Sequence, residues 1–94
     1  MDEDLSIVGK RLKELRTERQ LTMDMVVTDM NLKYNIEITR SHLSRWENGT
    51  YIPTLRLAAY LCKYYSVSLD YLMGLTDSRV PVDLLAKTKG VKKD

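Results

Sequence analysis

The apolar residues of this chain recur at the spacing of α-helices from near the amino terminus onwards. At about 100° per residue, four of them share one face of a predicted first helix over residues 5–18. These four are Leu5, Val8, Leu12 and Leu15. A second helix is predicted from Met23 to about residues 31–33, with Thr22 as its N-cap. Asp24 falls in its first turn, where the helix dipole favours a carboxylate.

A connection over residues 34–38 precedes the third predicted helix, and its two isoleucines are expected to pack back onto the core. Thr39 is the expected N-cap of this short helix, which spans residues 40–47. Ile38 before the cap and Leu43 inside the helix have the spacing of a hydrophobic staple.

The third helix is expected to end at residues 48–49, because glycine readily adopts the left-handed conformation that terminates helices. A fourth helix is predicted to begin at residues 53–54. Its apolar stripe consists of Leu55, Ala58, Ala59, Cys62 and Tyr65. Ser68 is the expected cap of a short fifth helix over residues 69–73, which Gly74 closes.

Helical periodicity fades after Gly74, so the pattern predicts one all-α domain over residues 5–74 and a mostly solvated tail over residues 75–94. A length of 94 residues suits a single small domain. The low content of turn formers, with Gly 4 and Pro 2, favours helices over an all-β fold rich in turns.

Several features exclude other classes of protein. The longest apolar run, over residues 57–62, is far too short to cross a bilayer. The acidic residues 2–4 stand where a signal peptide would be basic. One cysteine cannot form an internal disulfide or a cysteine-based metal cluster, and Cys62 lies within an apolar stripe that predicts a place in the core. The sequence therefore predicts a cytoplasmic protein with no membrane partner, no metal and no cofactor.

The net charge of +2 implies no partner, but basic side chains concentrate in residues 5–19 and 40–56. Two basic segments inside a folded domain fit a localised contact with an anionic partner. Solvated lysines and arginines on helix faces would explain the same distribution equally well.

The third helix divides into an apolar and a polar side. Leu43 and Trp46 point one way. The opposite side carries Arg40, Ser41, Ser44, Arg45 and Asn48. Arginine can donate two hydrogen bonds to guanine, and serine or asparagine can contact either strand, so this face suits the major groove of DNA. An ordinary amphipathic helix with a solvated polar side is the alternative from this helix alone.

A wider set of motifs strongly resembles the Cro-like, or XRE-type, helix-turn-helix family of phage and bacterial repressors. The matching segments are Leu15-Arg16, Gln20–Thr22, Thr39–Gly49, Pro53–Leu55 and Ser66–Gly74. The resemblance covers roughly residues 7–74. It implies a five-helix, lambda-repressor-like DNA-binding domain whose third helix lies in the major groove.

The resemblance also implies roles for individual residues. The family's base-contacting positions fall on Arg40, Ser41, Ser44 and Arg45. Its phosphate-contacting positions fall on Thr39, Asn48, Thr50 and Tyr51. A partly buried ion pair of the family falls on Arg16 and Glu47.

Two features depart from the family pattern. Met23 stands where family members usually have a glutamine that touches phosphate. The connection before the third helix is longer than the family's tight turn, and Lys33 or Tyr34 within it could reach the DNA backbone or simply belong to a longer helix and a solvated loop.

The roles of some aromatic and titratable residues stay open. His42 could touch a phosphate, or it could be solvated or serve in packing. Tyr60, Tyr64 and Tyr71 could form a dimer surface or cap the core. No paired carboxylates, phosphate-binding glycine loop or triad supports catalysis, so no enzyme is expected.

The resulting hypothesis is a sequence-specific regulator of transcription, acting as a repressor. It would bind double-stranded DNA as a homodimer on a pseudo-palindromic operator, with a regulatory protein as a possible further partner. The alternative is an antitoxin-like or adaptor module that acts mainly through a protein partner, with DNA binding used for autoregulation.

Overall fold

A computed structural model of the chain describes residues 2–80 and, within that range, the side chains from Ser6 onward. These residues form five α-helices and no β-strand. The helices are α1 (Asp2–Glu18), α2 (Met23–Tyr34), α3 (Arg40–Glu47), α4 (Leu55–Tyr65) and α5 (Leu69–Leu72). The predicted all-α, five-helix fold is confirmed. No helix in this part of the chain is both long and apolar enough to cross a membrane.

Four hydroxyl side chains set the starts of α2 to α5. Each accepts a hydrogen bond from the backbone N–H three residues further on, which satisfies one of the unpaired donors of the first turn. The four caps are Thr22, Thr39, Thr54 and Ser68. α2 continues to Tyr34, slightly beyond its predicted end, until Asn35 adopts a left-handed φ of 54°. The helix boundaries thus follow from local capping chemistry.

The core lies where α1 packs on α3 and α5, while α2 packs on α3 and α4. Its fully buried side chains include Leu12, Met30, Leu43, Leu61 and Leu72. α1 meets the end of α3 backbone to backbone at Gly9, since a Cβ added there would lie 2.5 Å from the carbonyl oxygen of Glu47. Only glycine permits this approach, which brings α1 against the polar helix α3.

The predicted buried stripe of α4 is partly wrong. Leu55 is 74% exposed and Ala59 is also exposed, whereas Leu61 is fully buried. Apolar residues surround much of α4, so periodicity did not single out one face, and packing against α2 and α5 selects the side that contains Leu61. Cys62 lies in the core as expected, and burial raises the pKa of its thiol to about 11.

Three of the four tyrosines of the last two helices cap the core. Tyr71 is buried, and Tyr60 and Tyr64 are half-buried against core residues. Tyr60 stacks on Tyr34 of α2, with ring centroids 4.8 Å apart. The half-buried Tyr34 therefore packs against α4.

The chain after α5 is tied to α1 although most of its side chains are exposed. Arg79 donates to both carboxylate oxygens of Glu18 at 2.8 Å. Arg11 donates to Asp77 at 2.9 Å. Both guanidinium groups lie near the ring of Tyr71, with their carbons 4.1 and 5.3 Å from its centroid. The rest of the predicted tail, residues 81–94, lies outside the described residues.

Candidate nucleic-acid interface

α3 presents its polar side to solvent and its apolar side to the core. Leu43, Trp46 and Glu47 are buried. Arg40, Ser41 and Arg45 are exposed, and Ser44 is half-buried. The four residues expected to contact bases thus share one accessible helix face. This face contains no large apolar side chain, and both of its charges are positive.

Thr39 and His42 form a reciprocal cap at the start of α3. The backbone N–H of His42 donates to the hydroxyl oxygen of Thr39 at 3.3 Å, and the backbone N–H of Thr39 donates to Nδ1 of His42 at 2.9 Å. The imidazole also stacks on Trp46, with ring centroids 5.9 Å apart. His42 therefore has a capping and packing role. The backbone N–H and the hydroxyl oxygen of Thr39, a predicted phosphate contact, take part in this cap.

The loop after α3 arranges the remaining predicted phosphate contacts. Oδ1 of Asn48 accepts the backbone N–H of Thr50 at 2.9 Å and also the Thr50 hydroxyl. The amide nitrogen of Asn48 has no partner within residues 2–80, so two donors remain available. Tyr51 is 60% exposed, and its ring lies 5.8 Å from the guanidinium carbon of Arg45.

Arg16 and Glu47 form the ion pair that the resemblance implies. Nε and Nη2 of Arg16 donate to the two carboxylate oxygens of Glu47 at 2.7 and 3.0 Å. The side chains are only 13% and 3% exposed, respectively. Arg16 also donates to the carbonyl of Leu21 at 2.9 Å. The hydrogen bond with Glu47 raises the pKa of Arg16, and this cluster holds α1, the start of α2 and α3 together.

The connection between α2 and α3 is held by one side chain. The amide of Asn31 donates to the carbonyl of Ile38 at 2.9 Å and accepts the N–H of Ile38 at 2.8 Å. Ile38 and Leu43, the two residues of the predicted hydrophobic staple, are both buried in the core, and Ile36 packs partly on it. This double hydrogen bond sets the direction in which the chain enters α3.

The sequence did not indicate that two further residues lie beside α3. Lys13 of α1 lines a groove with Ser44 and Asn48, and its amine has no partner in the described part of the chain. Asp24 of α2 lies 3.7 Å from Nη1 of Arg40. Lys13 lies one helical turn before Arg16, so the two side chains share one side of α1. The expected pairing of Arg16 with Glu47 is the only feature of the sequence that places this side of α1 next to α3. The first residues of α2 and α3 gave no such signal, because their proximity depends on the angle between the helices.

The half-buried side chain of Met23 packs on the core and lines the same groove as Lys13. It therefore serves in packing at the position where the family's glutamine would be expected. Among the side chains described, no cluster of three or more histidine, cysteine, aspartate or glutamate residues could hold a metal ion.

Comparisons with known proteins agree with this geometry. The model of a family described as "Helix-turn-helix domain" matches residues 9–78. An uncharacterized HTH-type transcriptional regulator of Bacillus subtilis (strain 168), YobD, is 35% identical over 72 residues, which are 77% of this chain and 59% of that protein. The HTH-type transcriptional activator BcrR of Enterococcus faecalis is 27% identical over 66 residues, which are 70% of this chain and 29% of that protein.

The chain therefore spans less than two thirds of the length of either relative. No solved structure matches the chain. The family model covers most of the described residues, including α2, α3 and the connection between them. With five helices in this order and a capped third helix whose polar side is exposed, the chain belongs to the helix-turn-helix family, of the Cro/XRE type.

Proposed function

We propose that this chain is a sequence-specific regulator of transcription that binds double-stranded DNA through α3. The observation that carries the proposal is the exposed face formed by Arg40, Ser41, Ser44 and Arg45, opposite the buried Leu43 and Trp46. The major groove is wide enough to admit an α-helix, and each base pair presents a distinct set of donors and acceptors there. The names of both relatives, a transcriptional regulator and a transcriptional activator, support the same class of function.

Within this proposal the two arginines read bases. A guanidinium donates two parallel hydrogen bonds to O6 and N7 of guanine, and Arg40 and Arg45 both project from the exposed face of α3. Ser41 and Ser44 are shorter and contact bases of either strand. The ring of Tyr51 lies beside Arg45, 5.8 Å from its guanidinium carbon.

Phosphates are contacted by the residues around this face. Asn48 offers its unpartnered amide nitrogen, and the exposed Thr50 and Tyr51 follow in the next loop. Thr39 contributes at the start of α3. Lys13 adds an unpaired positive charge from α1 beside Ser44 and Asn48. Such contacts fix the register of the protein on DNA and carry no direct sequence information.

Regulation follows from occupancy. Two copies bound to a pseudo-palindromic operator place their α3 helices about 34–36 Å apart, one turn of DNA, and so exclude or reposition polymerase. We propose repression as the outcome. A reporter placed behind the bound sequence tests the sign, since repression lowers expression when the chain is present and activation raises it.

Selection of bound sequences from random duplex DNA tests the proposal most directly. The expected result is one enriched motif with two inverted half-sites one helical turn apart. Binding to this motif should exceed binding to random duplex by about a thousandfold or more at a fixed, stated salt concentration. A flat selection with equal affinities would refute sequence-specific regulation. That result would instead favour an antitoxin-like or adaptor module, which co-purification with a small protein partner would then identify.

A further inference from the structure

The ion pair between Asp24 and Arg40 joins the two helices of the helix-turn-helix unit. Asp24 is the second residue of α2, and Arg40 is the first residue of α3. Oδ2 of Asp24 lies 3.7 Å from Nη1 of Arg40, and the side chains are 74% and 69% exposed. The pair therefore lies at the surface, and its Arg40 belongs to the face of α3 that we propose reads DNA.

A carboxylate beside DNA lowers the affinity of a protein, because the phosphate backbone repels it. Its presence there therefore calls for an explanation. The carboxylate of Asp24 accepts no hydrogen bond from the described part of the chain, and its one ion pair there is with Arg40. The remaining acidic residue on the outer side of α2, Asp29, instead accepts a hydrogen bond from Tyr64 of α4 at 2.8 Å. The contact of Asp24 is thus directed at one arginine of the proposed reading face.

The contact also leaves part of the guanidinium free. Arginine carries five N–H donors in a planar fork, and the nearest approach of the Asp24 carboxylate to Arg40 is at Nη1. The edge formed by Nε and Nη2 remains available for the two acceptors of a guanine. An arginine without this carboxylate could turn to a phosphate, which is a strong bidentate acceptor for guanidinium groups.

We infer that Asp24 is a specificity-determining residue that positions Arg40 for a base edge and keeps it from the phosphates. This inference rests on the proposed function. Asp24 itself need not touch a base; it acts through the orientation of the Arg40 guanidinium. The chemistry that it selects is a guanine, or another pair of acceptors in the major groove, at one position of each half-site.

Asp24→Asn tests the inference, because the amide keeps the shape of the side chain and removes its charge. Asp29→Asn is the matched control, since it removes the same charge from the same helix without touching Arg40. The base pair read by Arg40 is first identified as the one at which Arg40→Ala alone loses discrimination. Each variant is then titrated against the selected operator and its single-base substitutions at several salt concentrations, after thermal melting has verified that it folds.

The expected result for Asp24→Asn is a loss of discrimination confined to that base pair, from about tenfold in the parent to threefold or less. Affinity for random duplex should rise, and the slope of log K against log salt should steepen by about 0.9 if Arg40 gains a phosphate contact. Asp29→Asn should leave the pattern of base preference unchanged. In an Arg40→Ala background, Asp24→Asn should no longer change discrimination at that base pair.

Other outcomes overturn the inference. If Asp24→Asn and Asp29→Asn raise affinity equally for every sequence, Asp24 contributes only its charge. If Asp24→Asn alters discrimination just as much without Arg40, it does not act through that arginine. Either result would leave the proposed function intact, because the parent protein would still prefer its operator. A parent protein that shows no preference for any sequence would refute both.

Discussion

The ion pair between Arg16 and Glu47 should be important for stability. Removing either partner should therefore lower the free energy of unfolding substantially. Glu47 is almost fully buried and receives two hydrogen bonds from Arg16, at 2.7 and 3.0 Å. Arg16→Ala would leave a buried carboxylate without its counter-charge, which costs about 3 kcal/mol. A domain of this size has a total stability of about 5–15 kcal/mol. The substitution should therefore lower Tm by about 12–24 °C.

Trp46 provides the assay, since it is the single tryptophan of the chain and is buried one residue before Glu47. Urea unfolding followed by its fluorescence gives the free energy of unfolding for Arg16→Ala, Glu47→Ala and the double variant. Either single substitution leaves the other charge buried without its partner. The double variant should therefore lose less free energy of unfolding than the sum of the losses in the two single variants. The coupling energy should exceed about 1 kcal/mol.

The pair between Arg79 and Glu18 is the matched control. It has a similar bidentate geometry, but its side chains are 42% and 50% exposed. Solvent screens such a pair, so the same cycle on these residues should give little coupling. A coupling between Arg16 and Glu47 no larger than that of the exposed pair would refute the argument that burial makes this ion pair important.

Four further predictions test other parts of the structure. Gly9→Ala should lower the free energy of unfolding by about 1–3 kcal/mol, measured in urea, because its Cβ would overlap the backbone at the end of α3. Asn31→Ala should speed amide hydrogen exchange in the connection between α2 and α3, because it removes both hydrogen bonds that hold it. In operator titrations, Arg45→Ala should relax preference at one base pair per half-site, whereas Asn48→Ala should weaken all sequences equally. Cys62 should resist alkylation from pH 7 to 9 in the folded protein, because its thiol is buried with a pKa of about 11.

Each of these expectations has a clear contrary result. An unchanged urea midpoint for Gly9→Ala would mean that α1 and α3 can separate at no cost. Unchanged exchange in Asn31→Ala would remove its role in directing α3. Uniform loss of affinity in Arg45→Ala would make that arginine a phosphate contact. Rapid alkylation of Cys62 under native conditions would show that α4 opens readily.

The positions of the helices and their caps could be predicted largely from the local sequence. Thr39 and Ser68 begin their helices where the sequence predicts, because a cap depends on a hydroxyl and an N–H only three residues apart. The division of α3 into a buried side with Leu43 and Trp46 and an exposed side with Arg40 also follows from the period of the helix.

The face that α4 buries could not be predicted in the same way. The sequence of α4 is apolar on more than one side, so the local pattern favoured burial of Leu55 and Ala59 as much as burial of Leu61. Only the positions of α2 and α5 decided that Leu61 enters the core and Leu55 remains in solvent. A periodic pattern identifies one buried face only when the other faces are polar.

The sequence by itself determined that this chain forms five helices and which side of α3 carries the polar groups, because these properties depend on residues within one or two helical turns. Tertiary structure alone decided that Gly9 lets α1 touch α3, that Lys13 lies beside Asn48 and that Asp24 meets Arg40. Such contacts join residues far apart in the chain. They depend on the angles and distances at which helices cross, and these are set by the packing of the whole core rather than by any local pattern.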